Sequence, residues 1–147
     1  MVIYYENNGS DGSYHQAKYD DKGNTIEEIL ENEKSNGRQY IKYTNQYNDK
    51  NILVKVEKYR NKNYDGKTDN LIENDNIVES KYYDSKNQLS GIVKYLYDEK
   101  RHLVNTTYYD KNNKQTYSEY QKYQGDFLVE HGEIMPDYER HWTYEKK

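Results

Sequence analysis

The sequence predicts an all-β protein, an antiparallel meander of repeated β-hairpins forming an open curled sheet. Three observations carry that expectation. Short β-branched and tyrosine-rich runs alternate with turn signals roughly every 12 to 20 residues. A pattern of tyrosine, acid, variable residue and lysine, followed by Gly or Asn and then an aliphatic, recurs along the chain. Little helix is expected, since Ala, the best helix former, occurs once, as Ala17, among 147 residues.

Composition bounds the rest. Leu, Ile, Val and Phe together make 24 of 147 residues, a fraction usually found in disordered chains. The 20 tyrosines reverse that inference, because disordered chains are poor in aromatics and a Tyr ring brings apolar area with a hydroxyl that can stay wet. A thin, wet, folded structure is therefore expected, as one domain over 1–147 with hairpin repeats over 14–123 and a C-terminal cap over 125–147. Acidic and basic residues number 26 and 22 and are interspersed, giving a net charge of −4. The sequence pI near 5.6 disfavours nucleic acid as a partner. With no cysteine, disulfides, thiolate chemistry and Cys-based zinc sites are excluded. No apolar stretch is long enough to insert in a membrane as a helix. Met1 leads straight into polar sequence, so a cytoplasmic location is expected if Met1 is the natural start, and an exported mature fragment if it is not.

Taken along the chain, the repeat appears as Tyr19-Asp20-Asp21-Lys22-Gly23-Asn24-Thr25-Ile26 and Tyr83-Asp84-Ser85-Lys86-Asn87-Gln88-Leu89. Looser copies start at Tyr47, Tyr64, Tyr97 and Tyr109. Each copy reads as a hairpin turn: the acid bonds backbone amides two residues on, and Gly or Asn accepts the left-handed conformation that closes the turn. Between the turns, Ile52, Val54 and Val56 alternate with Lys55 and Glu57, and Val93, Tyr95 and Tyr97 fall at strand spacing. Two segments also carry helical signals. Thr25-Ile26-Glu27-Glu28 has capping-box form, with Ile26, Ile29 and Leu30 at helical spacing and Gly37 as a stop. Beyond Gly125, Phe127-Leu128-Val129 reads as one more strand, and Pro136 is placed to start a short helical C-terminal cap.

These Tyr-Asp units resemble the YD repeats of Rhs-type proteins and of short bacterial surface proteins, most clearly over 82–113. The chain departs from that pattern after the turn, where Asn87, Arg101 and Asn112 or Asn113 stand in place of Gly. The resemblance implies stacked hairpins in a continuous curled sheet. In so short a chain it implies an accessory role: a binding module, an adaptor, or an immunity protein that blocks a toxin.

No nucleophile elbow, P-loop or dinucleotide fingerprint is present, so no enzyme activity and no cofactor are expected. His131, Glu133, Asp137 and His141 form the best catalytic or metal-binding constellation, but their spacing matches no metal motif and reads as a solvated cap. The carboxylates of Asp20, Asp49, Asp65, Asp84, Asp98 and Asp110 raise a calcium reading. Each stands beside a lysine or offers too few oxygens, so turn capping is the better account and no metal is expected.

Tyrosine remains as the candidate for function, either as cross-strand structure or as binding surface. Tyr95, Tyr97, Tyr108, Tyr109, Tyr117, Tyr120 and Tyr123 form the densest cluster and are the expected partner-binding residues. The expected function is a small protein-binding repeat protein, an immunity or antitoxin-type inhibitor of a cognate toxin. A glycan-binding surface module is the alternative. Exposed strand edges add edge-to-edge homodimerisation as an option.

Overall fold

The computed structural model describes residues 3–6, 13–32 and 37–145. The chain is all-β. Among the described residues the strands are β1 (Ile3–Glu6), β2 (Ser13–Tyr19), β3 (Thr25–Asn32), β4 (Gly37–Tyr47), β5 (Leu53–Arg60), β6 (Asn63–Glu73), β7 (Asn76–Tyr83), β8 (Leu89–Tyr97), β9 (Leu103–Asp110), β10 (Gln115–Gln124), β11 (Phe127–Ile134) and β12 (Glu139–Thr143). They follow one another in chain order across one open antiparallel meander, from β1 to β12. Two compact units can be distinguished, Met1–Asp69 with Tyr83–Gln88, and Asn70–Tyr82 with Leu89–Lys147.

The tyrosine–acid unit makes the turn that its sequence predicts. Asp20, Asp84, Asp98 and Asp110 each accept two backbone amides on one carboxylate oxygen, from the residues two and four positions on, at 2.8 to 3.0 Å. Their carbonyls accept the amide three residues on, and their own amides donate to the carbonyl four residues on. The residue before the last is left-handed in every case: Gly23, Asn87, Arg101 and Asn113, with φ between 60° and 81°. In this turn the carboxylate replaces a ladder partner for amides that would otherwise be unpaired.

Two copies differ from the expectation. In the hairpin after β4, Asn48 takes the capping place expected of Asp49: its carboxamide oxygen accepts the Lys50 and Ile52 amides at 3.1 and 2.9 Å, and Asn51 is left-handed. The Tyr64-Asp65-Gly66-Lys67 copy is not a turn but lies inside β6, where Asp65 pairs with Lys58 and Arg60 at 3.5 and 3.1 Å. Gly66 is needed there because φ is +136° and a Cβ would run into the Tyr83 carbonyl. The turns around it are two-residue hairpins, Asn61-Lys62 and Asn74-Asp75, with positive φ at both central residues, the type I′ arrangement that suits strand twist.

Neither helical signal forms a helix. Thr25–Asn32 is β3, held by cross-strand partners that a local capping box cannot match: Glu27 accepts Lys18 and Tyr40 at 2.7 Å, and Glu28 accepts Tyr43 at 2.7 Å. Pro136 starts a hairpin turn, closed by the Met135 amide on the Tyr138 carbonyl at 2.9 Å, and the chain returns as β12. Phe127-Leu128-Val129 is strand, as expected. The last two residues of the expected cap lie outside the described residues.

The core is thin. Among the described residues Ala17, Ile41, Ile92 and Val93 are the buried apolar ones, accompanied by buried Ser80, Thr106 and Ser118, and no side chain is completely buried. Tyrosine rings and their hydroxyl partners supply much of the remaining cohesion. On single strands Tyr117 donates to Glu119 at 2.8 Å, Tyr59 to Glu57 at 3.1 Å and Tyr123 to Gln121 at 2.8 Å, each two residues apart and so on one face.

Candidate functional site

In the second unit the register sorts the side chains into two faces. Val93 pairs with Tyr108 and Tyr95 with Thr106, while Tyr117 faces Tyr108 across the next strand pair. Farther on, Glu119 pairs with Glu133, Glu133 with Arg140, and His131 with Trp142. Directly opposed residues share a face, so Tyr95, Tyr108 and Tyr117 belong to one band that runs from β8 to Arg140 and Trp142 on β12. Buried Val93 and Thr106 lie under it.

The band is continuous in chemistry as well as in register. The Tyr108 and Tyr117 rings are tilted against one another with centroids 5.2 Å apart. Glu133 accepts the Arg140 Nε at 2.6 Å. The Arg140 guanidinium lies over the Trp142 ring at 5.2 Å, and His131 stacks on Trp142 at 5.3 Å. Tyr82 on β7 joins the other end of the band. Burial, then the neighbouring Tyr95 hydroxyl and a hydrogen bond with it, push the Tyr82 hydroxyl up to about 12. Burial first, then the hydrogen bond to Glu119, raises Tyr117 as well, and burial followed by Glu119 and Tyr95 raises Tyr108. These phenols stay protonated at physiological pH. They can donate hydrogen bonds and stack, and they are poorly suited to act as bases or nucleophiles.

The remaining expected binding residues stand elsewhere. Tyr109 and Tyr120 are on the opposite face, where the Lys94 ammonium lies over the Tyr109 ring at 5.2 Å. Tyr120 covers Gly132, whose missing side chain makes room for the ring, and donates to Glu130 at 2.9 Å. Tyr97 and Tyr123 flank the turn end of their hairpins. The Tyr97 hydroxyl donates to the Ile77 carbonyl at 3.0 Å, and the Tyr123 ring stacks on His102 at 4.4 Å. The structure thus brings three of the seven together. It adds Glu119, which alternation along β10 already places beside Tyr117, and Tyr82, Glu133, Arg140 and Trp142, which only the register between strands could have placed.

At the β7 end the band holds a shallow cavity of about 380 Å³, lined among others by Tyr82, Gly91, Val93 and Tyr108. Gly91, on the same face as Val93, lines this cavity without contributing a side chain.

The C-terminal polar constellation is split. His131 and Glu133 share the tyrosine face as their spacing predicts, but His141 pairs with Gly132 and belongs to the other face. Glu133 is committed to Arg140. Among the described residues no group of three or more His, Asp or Glu is placed to hold a metal ion, and no helix is long and apolar enough to cross a membrane. No protein-family model matches the chain, and no curated protein matches it.

Proposed function

We propose that this chain is a protein-binding repeat protein that captures its partner on the tyrosine band of the second unit. The observation that carries the reading is the alignment of Tyr82, Tyr95, Tyr108 and Tyr117 on four successive strands, ending at Arg140 and Trp142. Tyr, Trp and Arg are the residue types that dominate binding hot spots, because they offer rigid area with a polar tip at low entropic cost. Tyr82 and Trp142 are exposed at the two ends of the band, so a partner has aromatic anchors to cover. An immunity or antitoxin role is the biology favoured: the net charge of −4 suits a basic toxin, and the hairpin unit resembles the YD repeats that accompany toxins. The proposal assigns no catalytic step to the chain.

Affinity capture from a lysate of the source organism, followed by mass spectrometry after a high-salt wash, tests it. One stoichiometric protein is the expected result. If that protein is toxic when expressed alone and harmless when expressed with this chain, the immunity role stands; toxicity unchanged by co-expression contradicts it.

A second reading, a glycan-binding module, is favoured by one feature: the shallow cavity lined by Tyr82, Gly91 and Tyr108, where tyrosine rings are available to stack on a sugar. Retention on isolated cell-wall polysaccharide, lost in Tyr82→Ala, would support that reading over the first.

A further inference from the structure

β12 pairs with β11 and, among the described residues, with no other strand. Its residues Glu139, Arg140, His141, Trp142 and Thr143 are all exposed, and none is the lysine with which edges are often guarded. The direction of its free hydrogen-bonding groups follows from the two ends of the pairing. The Tyr144 amide donates to the Val129 carbonyl and the Met135 amide to the Tyr138 carbonyl, both at 2.9 Å. In an antiparallel ladder hydrogen-bonded pairs alternate, so Trp142 and Arg140 bond inward to His131 and Glu133. Glu139, His141 and Thr143 therefore present their N–H and C=O groups outward.

That outward set is centred on His141, with Arg140 and Trp142 on either side of it. We propose that β12 is a homodimer edge, pairing antiparallel with β12 of a second copy about a twofold axis at His141. In this register His141 faces His141 of the other copy, Glu139 faces Thr143, and each of these pairs exchanges both of its hydrogen bonds. Arg140 faces Trp142 of the other copy twice. The pairing repeats between chains the guanidinium-over-indole contact that already exists within one chain at 5.2 Å. Between Glu139 and Thr143 this register opposes no two acids and no two arginines or lysines. A short two-stranded edge contact of this kind belongs to the weak, transient class of interface.

The chain has no cysteine, so single cysteines report the register without interference. His141→Cys places two thiols in directly opposed positions, about 5.5 Å apart between Cα atoms and within disulfide reach. Thr143→Cys serves as control, because its two copies would lie four residues out of register, about 13 Å apart along the strands. Under mild oxidation His141→Cys is expected to form covalent dimers while Thr143→Cys does not. In sedimentation of the cysteine-free chain, Thr143→Glu, which sets like charges opposite Glu139 at both ends, weakens the dimer by about tenfold, and Thr143→Lys strengthens it. Equal crosslinking of the two cysteine variants, a monomer at every concentration, or growth beyond two copies overturns the proposal.

Discussion

Among the described carboxylates, Asp20 is held farthest below its ordinary value. Burial alone would raise its carboxyl, but the Tyr47 hydroxyl, the Asn24 amide, the Asn45 side chain and the Lys22 amide together hold it at about 2. A carboxyl depressed in the folded state stabilises the fold above its unfolded value near 3.9, and that contribution is lost as pH falls from there toward 2. Denaturant titrations between pH 7 and pH 2 should therefore show an acid limb that flattens in Asp20→Asn. Tyr47→Phe removes one donor to the charged oxygen and should cost about 1–2 kcal/mol at neutral pH, with a smaller loss at pH 2. At the opposite extreme of residue size, Gly132 exists to seat the Tyr120 ring, so Gly132→Ala should displace the ring and cost about 1–3 kcal/mol in urea unfolding. A glycine at that position signals close approach in any strand, but the ring it serves is identified only by the register.

The hairpin is the unit at which sequence and structure agree best, because its determinants are local. An acid that accepts two amides and a left-handed Gly or Asn lie within five residues of one another, and nothing distant competes with them. Where such determinants were ambiguous, tertiary pairing decided. At Tyr64-Asp65-Gly66 the same letters sit inside β6, since Asp65 is claimed by Lys58 and Arg60. In β3 the helical spacing of Ile26, Ile29 and Leu30 loses to Glu27 and Glu28 bonded across to neighbouring strands. The tyrosine that precedes a turn has its own role, since it reaches back to the preceding hairpin on the same side. Tyr47 reaches Asp20, Tyr97 reaches the Ile77 carbonyl, and Tyr123 stacks on His102. Strand register shifts opposite Tyr47 and Tyr97, where Val54 and Val104 are the extra residues on the returning strands. Lys62 offers the simplest test of turn chemistry, because it holds φ of 72° without being Gly or Asn. Lys62→Gly creates the preferred Asn-Gly type I′ turn and should stabilise the fold by about 1 kcal/mol, read as a higher denaturant midpoint at constant slope.

Across the whole molecule the sequence announces a meander but not its faces. Alternation along one strand tells which residues share a side of that strand. It does not tell which side of the next strand they meet, because each bulge shifts the count by one. That is why Tyr95, Tyr108 and Tyr117 come together while Tyr109 and Tyr120 turn away, although all five lie within one dense stretch of sequence. The proposed function rests on that separation of faces. The direct measurement is calorimetric titration of the captured partner onto three chains: the wild type, Tyr95→Ala/Tyr108→Ala on the band, and Tyr109→Ala/Lys94→Ala on the opposite face, each checked for an unaltered fold by circular dichroism. The band variant is expected to lose at least about tenfold in affinity, near 1.4 kcal/mol, and the opposite-face variant to bind as the wild type does. Equal affinity for all three chains, or a loss confined to the opposite-face variant, would contradict the proposed function.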